Sequence, residues 1–219
     1  MDKTVGKYNT LFTLGYADLS IDRFLYLLKE HVVDIIADVR SSPFSRLYPE
    51  FNHDNLKNVL RSHGIKYVFL GKELGARRTE EDCYINGKVF YDLVYKTEAF
   101  QDGIKRLMNG LGKMRVALLC AEKDPLDCHR AILICRHIRN KGVRIEHILN
   151  NGKLENHFEL EMRLLKLFGL NNMDIFRNQE DTLEDAYRRQ AEKIAFSKEE
   201  TVPKEGKYVS DEVIHNRFY

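Results

Sequence analysis

Val116-Ala117-Leu118-Leu119-Cys120-Ala121-Glu122-Lys123-Asp124-Pro125-Leu126-Asp127-Cys128-His129-Arg130-Ala131-Ile132-Leu133-Ile134 carries the pattern from which the architecture of the chain can be built. A short apolar run, a polar loop and a second apolar run follow one another. The first run reads as a buried strand and the second as part of a helix from Cys128 to Asn140, stopped by Gly142. A strand-to-helix loop of this kind opens at the carboxyl edge of a parallel sheet, where α/β folds place their chemistry. Two thiols, a carboxylate, an imidazole and a guanidinium share the eleven positions from Cys120 to Arg130. A solvated turn rarely gathers so many reactive groups.

The same alternation extends in both directions. Upstream, Thr10–Leu14 reads as a strand ended by Gly15, and Ser20 as the cap of a helix bearing Phe24, Leu25, Leu27 and Leu28. Val33–Val39 reads as a second strand, Asp54–Leu60 as a helix closed by Gly64, and Ile65–Leu70 as a third strand. A helical region from about Val89 to Leu111 follows, with an irregularity expected at Thr97 or Gly103. Downstream, Arg144–Leu149 reads as the last strand. Leu154–Leu170 reads as a helix packed through Phe158, Met162, Leu165 and Leu167. The expected fold is α/β, Rossmann-like or rhodanese-like: a mostly parallel sheet of about five strands flanked by helices, with a helical C-terminal extension. Residues 1–170 form the α/β domain in this reading. Residues 171–219 form an extension whose helix, around 181–195, docks on the body or pairs two copies, followed by an extended tail.

Composition narrows the function classes. The chain is 43% hydrophobic and 31% charged, ordinary values for a globular protein, and its net charge is only +2. The charge is uneven, however: residues 171–219 carry −3 and leave +5 on the rest. No global electrostatic case for nucleic acid or a membrane arises. No apolar run approaches the roughly 20 residues that cross a bilayer, and the N-terminus lacks the apolar core of a signal peptide. Four cysteines then read as thiols in a reducing compartment, so a cytoplasmic location is expected.

If the sheet is parallel, the loops after its strands share one rim. They bring Tyr16, Arg40, Ser42, Arg46, Lys72, Arg77, Arg78, Lys123 and Arg130 near the cysteine loop. Such a set favours an anionic ligand, with Tyr16, Arg40, Ser42, Arg46, Lys72 and Arg130 as the candidate substrate-binding residues. Each arginine has a duller alternative, pairing with Asp38, Glu73, Glu80 or Glu81. In the loop itself, Asp127 reads as an N-cap with Cys128 in the first helical turn, where the helix dipole and Arg130 lower a thiol pKa. Cys120 or Cys128 is the candidate nucleophile, and His129 or Glu122 the proton carrier. Cys135 reads as core and Cys83 as inert. A metal is not expected. There is no Cys-x2-Cys pair, and adjacent Cys128 and His129 at a helix start point in different directions.

Several segments together resemble domain-of-unknown-function family 488. They are Thr13-Leu14-Gly15-Tyr16, Asp38-Val39-Arg40-Ser41-Ser42-Pro43-Phe44-Ser45, Pro49-Glu50-Phe51, Gly64-Ile65-Lys66-Tyr67, Leu70-Gly71, Leu119-Cys120-Ala121-Glu122, Cys128-His129-Arg130 and Glu146-His147-Ile148-Leu149. The resemblance covers roughly residues 10–157 and implies an α/β fold without naming an activity. One departure stands out: the family motif Gly-His-Ser is Gly15-Tyr16-Ala17 here. At the level of pattern, the order strand, Asp-Val-Arg, later strand-Cys-loop-Arg-helix is similar to rhodanese-like sulfurtransferases and cysteine phosphatases. Cys120 and Arg130 would take the cradle positions, although this loop is longer and contains Pro125 and no glycine.

These observations lead to a cysteine-dependent enzyme acting on an anionic or sulfur-bearing substrate, with sulfur transfer ahead of hydrolysis through a thiol intermediate. No cofactor is called for. The competing class is a non-catalytic module that binds nucleic acid or another polyanion through the basic rim, with Tyr16, Phe44 and Tyr48 as stacking surfaces.

Overall fold

The computed structural model describes residues 9–170 and 178–198. Its centre is a six-stranded sheet in the order β3-β2-β6-β1-β7-β8. The strands are β1 (Thr10–Gly15), β2 (Ile35–Asp38), β3 (Lys66–Phe69), β6 (Val116–Cys120), β7 (Arg144–Ile148) and β8 (Leu154–Asn156). The first five run parallel and β8 closes the edge antiparallel to β7. The expected α/β architecture is therefore present, with one more strand than its apolar runs announced. The three residues of β8, between the turn at Gly152 and the helix that begins at His157, are too few to show a period.

Helices cover both faces. Ser20 accepts the Arg23 N–H and starts α1 (Ile21–Glu30), and Gly64 ends the turn after α2 (His53–Ser62) at φ +74. These two helices share one core with Phe12, Leu14, Ala117 and Leu119. On the opposite face, α5 (Glu98–Leu111) and the segment after the cysteine loop pack on Leu11, Val116 and Leu118. The two-residue period of a strand thus sends Cys120 to the same face as Val116 and Leu118.

The region from 71 to 97 is more broken than its composition suggests. It contains α3 (Gly71–Leu74), a small hairpin of β4 (Tyr84–Ile85) and β5 (Lys88–Val89), and α4 (Tyr91–Val94). The expected irregularity falls at Thr97, whose hydroxyl accepts the Phe100 N–H and caps α5.

The last helices correct one reading. α7 (His157–Leu167) starts three residues later than expected, capped by Asn156 and Glu159 in a reciprocal capping box. Phe158, Met162 and Leu167 point to solvent, and the buried side carries His157, Leu160, Glu161 and Leu164. Apolar periodicity misses this face because two of its four buried residues are polar. They are satisfied by α8 (Gln179–Ile194): the Tyr187 hydroxyl lies 3.0 Å from His157 Nε2 and donates to Glu161 Oε1 at 3.0 Å. Leu183, Ala186, Tyr187 and Ala191 enter the main core, so α8 spends its apolar face within its own chain. The expected tail beyond residue 198, and the junction at 171–177, lie outside the described residues. Among the described residues, no helix is long and apolar enough to cross a membrane.

Candidate active site

The site grows from the end of β6, between β1 and β2. Cys120 is the last strand residue, in register with Gly15. Beyond it the chain stays pinned to the neighbouring loop: Tyr16 N–H donates to the Cys120 carbonyl at 3.2 Å and Ala17 N–H to the Ala121 carbonyl at 2.9 Å. The Glu122 carbonyl then folds over Gly15, so closely that a Cβ at Gly15 would stand 1.7 Å from its oxygen. Only glycine leaves room for that approach.

Arg130 holds the loop from inside. Its guanidinium is 1% exposed and donates to the Glu122 carbonyl at 2.6 Å and the Lys123 carbonyl at 3.1 Å. Other contacts brace the outside. Asp124 caps a short 3-10 turn, Pro125–Asp127, and receives both Arg163 amino groups at 2.7 and 2.9 Å. From α8, Gln190 donates to the Leu126 carbonyl at 2.8 Å.

The helix that follows differs from expectation. Asp127 is not its cap; it closes the 3-10 turn, and Cys128 is still extended at φ −134, ψ 138. A π-helical turn, Arg130–Cys135, then leads into α6 (Arg136–Ile138). Wide turns of this type are rare and recur at functional sites. Cys128 Sγ takes the role assigned to Asp127, accepting the Arg130 N–H at 3.4 Å.

Four side chains converge here. Cys120 Sγ and Cys128 Sγ lie 3.0 and 2.9 Å from the same carboxylate oxygen, Glu122 Oε2. They lie 3.5 and 3.9 Å from the same ring nitrogen, His129 Nδ1. The ligand atoms of all four residues fall within 4.8 Å of one another. Cys128 and His129 therefore face the same point, contrary to the divergence their adjacency suggested; the extended backbone at Cys128 turns its sulfur back under the imidazole. His129 Nε2 is 3.0 Å from the Val39 carbonyl. A carbonyl only accepts, so Nε2 carries a proton and Nδ1 is the atom presented to the sulfurs.

Electrostatics separate the two thiols. Burial, the hydrogen bond with Cys128 and the Glu122 charge hold Cys120 well above the ordinary thiol range. Burial also acts to raise Cys128, but the Cys120 hydrogen bond, Arg130 and His129 overcome it and hold this thiol well below that range. Burial, with Cys128 beside it, raises Glu122; burial lowers His129, but Cys128 and Glu122 raise it overall. A thiolate and a carboxylate cannot meet at 2.9 Å without a proton between them, so Glu122 and Cys128 share one. Glu122 is the exposed member of the four and borders a cleft of about 840 Å³ shared with Lys123, Asp124, Asp127, Asn150 and Arg163.

The other expected site residues are placed differently. Arg40 is buried and commits its fork to Asp38, at 2.9 and 2.6 Å, and to the Phe51 carbonyl at 2.9 Å. Tyr16 is buried, stacks on Phe51 with ring centres 4.5 Å apart, and lies under the Arg40 guanidinium at 5.1 Å. Arg78 pairs with Glu80 and the Glu73 carbonyl. Ser42, Arg46 and Lys72 are exposed on the rim. The Asp38-Val39-Arg40 segment thus reaches the cysteines through the Val39 carbonyl and not through its arginine.

Tyr91 is a residue that sequence reasoning missed. It is 2% exposed, its hydroxyl has no hydrogen-bond partner among the described residues, and Cys128, Cys120 and Glu122 add to the burial that raises its pKa. Its position beside the site depends on the hairpin and α4; the signal that could have found the hairpin is Asn86-Gly87, which turns between Ile85 and Lys88 at φ +49 and +75.

The same four atoms are a donor set for a metal ion as well as for proton and thiol chemistry. No curated protein and no solved structure matches the chain. Residues 20–136, more than half of the chain and spanning Asp38-Val39-Arg40, Cys120-Ala121-Glu122 and Cys128-His129-Arg130, match the model described as Domain of unknown function DUF488, and the chain belongs to that family.

Proposed function

We propose that this protein is a cysteine-dependent enzyme that carries sulfur on Cys128. The observation behind this reading is the convergence of two thiols on one carboxylate and one imidazole, with the Arg130 N–H directed at Cys128 Sγ. A sulfur held in that way is stabilised as an anion in place, and needs no rearrangement to attack. The pattern-level likeness to rhodanese-like sulfurtransferases would have put Cys120 in the cradle; the choice of Cys128 rests instead on the Arg130 N–H and the carboxylate that meet its sulfur.

The step balances without an oxidant. The Cys128 thiolate attacks the outer sulfur of a sulfane donor such as thiosulfate. A Cys128 S–S bond forms, the bond from that sulfur to its carrier breaks, and the electron pair leaves with the carrier as sulfite. An acceptor thiolate or cyanide then takes the outer sulfur and returns Cys128 to its starting state. Glu122, exposed to the cleft and bonded to both sulfurs, carries the proton between them and solvent. His129 balances the anion, and Arg130 positions Glu122 through its main-chain carbonyl.

Arg40, Arg78 and Arg130 are buried and hydrogen-bonded inside the protein, which removes three of the cations the polyanion-binding alternative would place on the rim. The test is sulfur transfer from thiosulfate to cyanide, read as thiocyanate. Cys128→Ser is expected to abolish it while Cys135→Ser, remote in role and buried in the core, retains it. Equal activity in wild type and Cys128→Ser overturns the assignment.

A further inference from the structure

The cysteine loop has a geometry that thiol chemistry alone does not require. A tetrahedral zinc-class ion with sulfur at about 2.3 Å and nitrogen or oxygen at about 2.0 Å sets sulfur–nitrogen and sulfur–oxygen edges of roughly 3.5 Å. The two sulfur–nitrogen separations here are 3.5 and 3.9 Å. The sulfur–oxygen separations, 3.0 and 2.9 Å, need only about half an ångström of opening, and Glu122 is the one exposed, movable member.

Two further features fit a cation. The Val39 carbonyl fixes the imidazole through Nε2 and leaves Nδ1 facing the sulfurs, the outer-shell arrangement by which ligating histidines are held. Charge also closes. Two thiolates and a carboxylate carry three negative charges, which a divalent ion and the buried Arg130 cancel. Arg130 itself hydrogen-bonds only carbonyls, the Cys128 sulfur being reached by its backbone N–H, so its charge needs such an anionic neighbour.

We propose that Cys120, Glu122, Cys128 and His129 form a binding site for a borderline-soft divalent cation of the zinc, iron(II) or cobalt(II) class. Soft sulfur donors disfavour magnesium and calcium. Three of the ligands are buried and Glu122 faces the cleft, so a fourth position can exchange with an incoming ligand. An occupied site uses both sulfurs and is closed to a sulfur donor. Metal therefore switches the thiol chemistry off, yet metal binding stands whether or not sulfur is the group carried.

The experiment is an anaerobic titration of the reduced, full-length protein with cobalt(II) alone, followed by zinc(II). One equivalent of cobalt is expected to bring thiolate-to-metal charge transfer and the visible bands of a tetrahedral ion, and zinc to erase them. Alkylation of the zinc-loaded protein should spare the Cys120 and Cys128 peptides relative to the metal-free protein, with no change at Cys83. Cys120→Ser and Cys128→Ser should each weaken binding more than about a hundredfold, and Glu122→Gln by about tenfold. The readout is independent of turnover, so a failed sulfur assay leaves it intact. Absence of the charge-transfer band in wild-type protein with all four thiols reduced overturns the proposal. Unchanged alkylation of Cys120 and Cys128 in excess zinc does the same, even if the serine variants fail to fold.

Discussion

Replacing Gly15 by alanine tests the way the loop is seated. The added Cβ would stand 1.7 Å from the Glu122 carbonyl oxygen, 2.7 Å from its carbon and 3.1 Å from Arg130 Nη1. Restoring even a tight 3.0 Å contact moves the loop away from β1 by at least about 1.3 Å, backbone against backbone. That displacement strains the Arg130 bond to Glu122 and the two main-chain bonds from Tyr16 and Ala17. Overpacking in a close-packed interior costs about 1–3 kcal/mol, and a clash with no flexible side chain to yield lies at the top, about 3 kcal/mol. For a domain of this size each kcal/mol lowers the melting temperature by about 2–4 °C, so a fall of about 6–12 °C is expected. Gly110→Ala in α5 is the control. Its nearest neighbour would be Val116 Cγ2 at 3.7 Å, and a helical alanine should stabilise by up to about 1 kcal/mol. Thermal unfolding of the two variants against wild type decides the matter. If Gly15→Ala melts within about 2 °C of wild type, the loop is not seated on β1 as described.

Other outcomes follow from the buried polar groups. Arg130→Lys keeps the charge but not the fork, stranding a carbonyl of Glu122 or Lys123, and should cost about 2–4 kcal/mol in urea unfolding; wild-type stability would contradict the staple. Tyr91→Phe removes a buried hydroxyl that has no partner among the described residues, so it should be neutral or stabilising by up to about 1 kcal/mol; a loss above that would mean the hydroxyl is satisfied. Burial, with Arg139 nearby, depresses His157 to about 4, and burial with the His157 charge depresses His147 as well. Their stabilisation is then complete above about pH 6.5 and lost as pH falls below it, the His157 share reaching about 2 kcal/mol by pH 5 and His147 acting in the same direction; Glu161, raised by burial, offsets part of it. Urea midpoints at pH 7 and 5 should separate, and His157→Gln should narrow the gap; a flat profile refutes the neutral pair.

Much of this fold is legible in the chain because four of its five parallel strands are largely apolar runs bounded by glycine, asparagine or charge, whereas β7 carries buried Glu146 and His147 between its isoleucines. The caps at Ser20 and Thr97 are likewise local chemistry. What escapes reading is non-local. α7 turns Phe158 and Met162 outward because His157 and Glu161 find a partner in Tyr187, on a helix 26 to 30 residues away. The site shows the same division. Cys120, Glu122, Cys128 and His129 share one loop, so their grouping is visible from spacing. The direction of the imidazole is set by the carbonyl of Val39, ninety positions earlier, and cannot be read from the loop. Arg40 looks like an anion holder from its residue type, but Asp38, two residues before it on the buried β2, claims its fork.

Sulfur on Cys128 can be seen directly by peptide mass mapping of reduced, metal-free protein after brief exposure to thiosulfate. One added sulfur is expected on the peptide carrying Cys128, absent in Cys128→Ser and still formed in Cys120→Ser. A sulfur found on Cys120 alone, or on neither peptide, would contradict the assignment to Cys128.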